Sequence, residues 1–120
     1  MPEQPRIAIT FPARPDYLRL ARLTTADAAS RAGFDYEEID DLRIAVSELC
    51  ALISGGNAAT LTLDFSLEPR AVSVRGVATT GSVVENEFSR DIVAALVDEF
   101  EISVDDGSSR FHVRKRSALR

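Results

Sequence analysis

The sequence predicts an α+β domain. It should be a two-layer sandwich with three helices on one face of a mixed, mostly antiparallel five-stranded sheet. Three observations lead there. Segments with period-two alternation cluster in the second half of the chain, two long segments carry apolar stripes at helical spacing, and few strand-helix-strand alternations occur. The order reads strand, helix, helix, two strands, helix, two strands. One face of such a sheet is left for solvent or for a partner.

Ile7, Ile9 and Phe11 alternate with Ala8 and Thr10, the period of a strand with one buried face. Pro12 and Pro15 end it, and Asp16 stands where a helix cap is expected. The next helix is predicted over 17–32, with Tyr17, Leu20, Ala21, Thr24 and Ala28 on one side. Arg19, Arg22 and Leu23 project from the other, and Gly33 is the stop signal. A second helix is predicted over 36–54, with Ile39, Leu42, Val46, Leu49, Cys50 and Ile53 as its stripe. Asp41, Ala45, Glu48 and Leu52 stack on its opposite side, so both sides should be covered. Gly55-Gly56-Asn57 reads as a loop, and Leu61, Leu63, Phe65 and Leu67 as a strand. Glu68-Pro69-Arg70 turns into a strand carrying Val72 and Val74, and 76–87 reads as loop. A short helix is predicted over 89–99, then a hairpin with Ile102, Val104, Phe111 and Val113 around the turn Asp105-Asp106-Gly107-Ser108.

At 120 residues the chain is one domain, 1–120, with no internal repeat or linker. Its 45% hydrophobic and 28% charged residues argue against disorder. A single cysteine excludes an internal disulfide, and a single histidine excludes a two-histidine metal site. A net charge of -5 argues against a nucleic-acid partner, since neutralising phosphates needs surplus Lys and Arg. No apolar run approaches the ~20 residues of a membrane-spanning helix. The opening Met1-Pro2-Glu3-Gln4-Pro5-Arg6 lacks an export signal, so a cytoplasmic, membrane-free location is expected.

The stretch Asp41-Leu42-Arg43-Ile44-Ala45-Val46-Ser47-Glu48-Leu49-Cys50 resembles the second-helix motif of the anti-sigma-factor serine kinases, of the Bergerat-fold (GHKL) ATPase superfamily. The likeness begins at Phe11-Pro12-Ala13, continues through Leu20-Ala21-Arg22-Leu23 and ends with Leu96-Val97-Asp98-Glu99-Phe100-Glu101-Ile102. The acidic, short form most resembles actinobacterial members with eroded nucleotide motifs. The resemblance implies ATP held by three features. A Glu-x-x-x-Asn motif supplies a general base and a magnesium ligand; here the glutamate is Glu48, but the asparagine position is Leu52. An Asp-x-Gly-x-Gly turn reads the adenine amino group; here Gly76 stands at the aspartate position. A glycine-rich lid cradles phosphates; here Glu85-Asn86-Glu87-Phe88-Ser89-Arg90 has no glycine, and Gly81 is a poorly spaced remnant. No cofactor is therefore expected; ATP and magnesium enter only if the chain is an active kinase.

The resemblance also implies a sigma factor or an anti-anti-sigma protein as partner, contacted through the first helix by Arg22 and its neighbour Arg19, and a homodimer. Cys50 in the apolar stripe reads as core, and His112 as structural, with no acid or nucleophile foreseen beside it. Arg114-Lys115-Arg116 and Arg120 form a basic end, and Thr79 and Thr80 lie in the expected loop. The leading expectation is a non-catalytic regulatory binding module. The alternatives are an active ATP-dependent serine kinase using Glu48 as base, and a small-ligand domain using an apolar cavity beside Leu52.

Overall fold

The computed structural model describes residues 5–118, so Arg120 of the expected basic end lies outside the described residues. The elements in order are β1 (Arg6–Pro12), a single 3-10 turn (Pro15–Tyr17), α1 (Leu18–Arg31), α2 (Tyr36–Ile53), β2 (Gly55–Gly56), β3 (Thr60–Glu68), β4 (Ala71–Thr79), β5 (Gly81–Ser82), α3 (Glu87–Leu96), β6 (Glu99–Asp105) and β7 (Ser108–Arg116). Five strands form one sheet in the order β1-β3-β4-β7-β6. Every pairing in it is antiparallel, so the sheet is not mixed. The three helices pack on one face, and β2 pairs with β5 as a separate two-residue ladder.

Alternation fixes which face is buried. Phe11, Leu61, Leu63, Phe65, Val72, Val74, Phe111 and Val113 point inward with at most 5% exposure. Across them lie Leu42, Val46, Leu49 and Ile53 of α2, all fully buried. Full burial of one such side chain stabilises by roughly 1.5–3 kcal/mol, so this interlayer seam dominates the fold. The outward residues of the same strands are Thr, Ser, Asp, Glu, Arg and His with a few small apolar groups.

Two of the turns follow backbone chemistry. Asp106 and Gly107 both have positive φ, 45° and 79°, the pattern of a two-residue hairpin turn. Gly33, at φ 90°, ends the α1 region as expected.

Several local expectations are corrected. Asp16 caps nothing; its carboxylate pairs with Arg14, and no side chain caps α1. The buried residues of α1 are Ala21, Thr25, Ala28 and Ala29, while Leu20 is 46% exposed. Small residues face inward because α1 lies close against α2, and a leucine would hold the helices apart. The expected loop over 76–87 begins as strand: β4 continues to Thr79, paired through Ala78 and Thr79 with Ser109 and Ser108. Helix α3 starts two residues earlier than expected, capped by the Asn86 side chain on the Ser89 amide at 3.1 Å, and ends at Leu96. Glu99 already belongs to β6.

The start of α2 carries a capping box. Asp35 accepts from the Glu38 amide at 2.8 Å, and Glu38 accepts from the Asp35 amide at 3.0 Å. Glu38 also accepts from Ser117 Oγ at 2.9 Å and from the Ala118 amide at 2.7 Å. Only 9% exposed, this carboxylate therefore joins the head of α2 to the end of β7.

Candidate functional site

The second-helix motif lies in the C-terminal half of α2. Glu48 is half-buried and, among the described residues, has no side-chain hydrogen bond or ion pair. Leu52, one turn further on, is 3% exposed and belongs to the contiguous apolar core. The expected cavity beside it is core packing instead. The apolar hollow of about 630 Å³ lies elsewhere, against Pro5, Arg31, Ala32, Leu67, Glu68 and Pro69.

Gly76 sits on the inner side of β4, directly opposite Phe111 on β7. A Cβ on Gly76 would lie 2.1 Å from Phe111 Cε2 and 2.6 Å from Cζ. The ring thus fills the space over the glycine, and Phe111 is 3% exposed. An aspartate here would need the volume the ring occupies. The glycine and the aromatic residue are complementary in shape, a pairing that no single motif position announces.

The segment after β4 is fastened to the end of α2. Gly55 pairs with Ser82 and Gly56 with Gly81. The Val84 amide donates to the Leu52 carbonyl at 2.8 Å, and Ser109 Oγ donates to the Ile53 carbonyl. Thr80, at φ 54°, takes a conformation costly for a β-branched residue, and its Oγ1 donates to the Asn57 carbonyl at 2.6 Å. Gly81 is needed for closeness: a Cβ there would lie 2.6 Å from Ser109 Oγ and 2.8 Å from the Ile53 carbonyl oxygen. Glu85 pairs with Arg90 at 2.9 Å, so one of the two carboxylates expected in this segment is neutralised within it, while Glu87 opens α3.

These residues do not fit a magnesium nucleotide. Leu52 offers no oxygen ligand, Gly76 no acceptor, and the segment before α3 no run of glycine amides. Among the described residues, no group of three or more His, Cys, Asp or Glu is placed to hold a metal ion.

The expected partner residues separate. Arg19 is exposed on α1. Arg22 is half-buried rather than projecting: its Nη1 donates to Ser47 Oγ on α2 at 3.2 Å, tying the two helices. On the helical layer Leu20 and Leu23 of α1 and Ile44 of α2 are 46%, 58% and 41% exposed, an apolar component of its surface. Cys50 is core, with burial pushing its thiol up to about 12. His112 does have an acid beside it, since it pairs in register with Glu101 on β6 and Arg75 on β4. Arg114 of the basic end is bound by Glu68, and Lys115 Nζ donates to the Leu96 carbonyl at 2.7 Å. Thr79 bonds Thr60 through their hydroxyls at 2.8 Å.

Residues 11–78 match the sequence profile of the family described as Histidine kinase-like ATPase domain. The serine-protein kinase RsbW of Listeria monocytogenes serotype 4a is 56% identical over 43 residues, covering 36% of this chain and 27% of that protein. The serine-protein kinase RsbW of Bacillus subtilis is 52% identical over 44 residues, covering 37% of this chain and 28% of that protein. The crystal structure of RsbU and RsbW domains of a Mycobacterium tuberculosis protein superposes with a TM-score of 0.76 at 20% identity. That superposition covers 93% of this chain and 32% of the other, and it shows the fold. The matched segment spans under a third of each of these relatives.

Proposed function

Because the chain belongs to the Histidine kinase-like ATPase domain family, we propose that it is a regulatory protein-binding module of the anti-sigma type whose nucleotide site is closed. The observation that carries the loss of nucleotide binding is the Phe111 ring packed over Gly76. It fills the place where the resemblance puts the base-reading aspartate. Leu52 adds an apolar residue at the metal-ligand position, and a metal ion cannot complete its oxygen shell against it. The partner-binding surface is the helical layer. Leu20, Leu23 and Ile44 supply exposed apolar contact and Arg19 an exposed guanidinium, a residue type enriched among binding hot spots. The resemblance to the anti-sigma-factor serine kinases supports a sigma factor or an anti-anti-sigma protein as the occupant, and the similarity to serine-protein kinases RsbW agrees with that resemblance.

A second reading, an active kinase, keeps one point in its favour: Glu48 is half-buried and unpaired among the described residues, as a general base would be.

Two measurements test the proposal. Calorimetric titration with magnesium and ATP should give no heat, and millimolar ATP should leave the melting temperature unchanged, because a ligand specific to the folded state must stabilise it. A low-micromolar dissociation constant abolished by Glu48→Ala would install the kinase reading instead. Capture of purified sigma factors should succeed with the native chain and weaken at least tenfold with Leu23→Glu. Capture unaffected by that change would remove the helical layer as the binding surface.

A further inference from the structure

On the sheet face turned away from the helices, the registers set Arg75 opposite His112 and Val77 opposite Arg110. Across β7, Arg110 faces Ser103 and His112 faces Glu101. These residues and the backbone at Gly76 line a hollow of about 240 Å³. Two other arginines of this face already have carboxylates: Asp64 holds Arg6, and Glu68 holds Arg114. Asp64 also stands opposite Arg75 in register, but both its oxygens are taken by Arg6. Among the described residues, neither Arg75 nor Arg110 has an ion pair or side-chain hydrogen bond. Two exposed guanidiniums therefore stand diagonally across neighbouring strands, within reach of each other and mutually repelling.

We propose that this hollow is an anion site for a phosphate dianion, held between the Arg75 and Arg110 guanidiniums with His112 and Ser103 as further donors. A guanidinium presents paired N–H groups that match two phosphate oxygens at once. Glu101 is the one carboxylate lining the hollow, and it lies beyond His112, on the strand away from Arg75. A phosphate polymer is disfavoured by the net charge of -5 and by Glu99, Glu101 and Asp105 along β6, so the ligand is compact. A free phosphate and a phosphorylated side chain share this chemistry.

The test is an amide-resonance titration of the whole chain with inorganic phosphate at constant ionic strength, with chloride as the control. Saturable shifts confined to β4, β6 and β7 are expected. Arg75→Gln with Arg110→Gln should weaken binding at least tenfold, and Glu101→Gln should tighten it several-fold. Both changes are on the surface, and unchanged melting curves would verify the fold. A parallel titration uses a short alanine-glycine peptide bearing one phosphoserine. Binding at least tenfold tighter than inorganic phosphate assigns the site to a phosphorylated segment, and equal binding assigns it to small phosphates. The proposal is overturned if chloride reproduces the shifts, if no saturable shift occurs, or if the double variant binds as the native chain does.

Discussion

Replacing Gly76 by alanine probes the β4–β7 packing on which the proposed loss of nucleotide binding rests. The new Cβ would stand 2.1, 2.6 and 2.7 Å from three ring carbons of Phe111, where ordinary contact begins near 3.4 Å. The ring would have to withdraw by more than an ångström, and at 3% exposure it has no solvent side to withdraw into. Overpacking of a filled core costs typically 1–3 kcal/mol, and so severe an overlap belongs at the upper end, about 3 kcal/mol. Alanine recovers roughly 0.5–1 kcal/mol by restricting the unfolded chain. The net loss is about 2 kcal/mol. For 120 residues the unfolding entropy is about 0.25 kcal/mol/K, so the melting temperature should fall by roughly 8 °C. Circular dichroism melts with urea unfolding as a second probe measure it. In a Phe111→Ala background the same glycine change should cost nothing, a coupling of about 2 kcal/mol in a double-mutant cycle. A neutral or stabilising Gly76→Ala would refute the reasoning, because the ring could not then occupy the space above the glycine.

Burial pushes the Glu38 carboxyl up, but the Asp35 and Ala118 amides, the Ser117 hydroxyl and the Lys115 charge outweigh it, leaving it below its usual value of 4.5. Its folded-state pKa being depressed, its stabilisation is complete above about 4.5 and disappears as pH falls through the lower folded value. Glu38→Gln should flatten the acid limb of a stability-versus-pH profile; an unchanged limb would remove Glu38 from the account. Arg22→Ala should cost about 0.5–1.5 kcal/mol through the lost Ser47 hydrogen bond, read in urea melts, and no loss would return Arg22 to a purely surface role. Cys50, with its thiol at about 12, should resist iodoacetamide at pH 8 until the protein unfolds; fast labelling of the native chain would contradict its burial.

Alternation and helical stripes made the layer order legible, because each inward position of β1, β3, β4 and β7 is chosen by a period of two. On α1 the expected side held Ala21 and Ala28, which are buried, but wrongly included Leu20, which is 46% exposed. Ala21, Ala28 and Ala29 are inward for reasons of helix-helix distance, which a hydrophobicity stripe ranks below Leu20 and Leu23. The reach of β4 was hidden because Gly76 and Thr79-Thr80-Gly81 read as turn chemistry, whereas the glycine serves a bulky cross-strand neighbour. Of the site, the substitutions at Leu52 and Gly76 were visible as letters, but the Phe111 ring that fills the gap lies 35 positions away and has no motif. The Asp35-x-x-Glu38 pattern, in contrast, was a readable helix-start signal that went unused.

The Glu38 carboxylate has a consequence for the order in which the molecule assembles. Its bond to Asp35 spans three residues and can form as soon as the helix nucleates. Its bonds to Ser117 and Ala118 span 79 and 80 residues, and they require the last strand to be in register. The first is therefore available from the start of folding, and the other two close only after the sheet is complete. A carboxylate already committed to the helix then receives residues 117 and 118, so docking them leaves the Asp35–Glu38 box unchanged. In reverse, residues 117 and 118 can lift away while the Asp35–Glu38 box stays intact. Exchange of the Ala118 amide should report this detachment as a sub-global opening, well below the free energy of unfolding the whole domain.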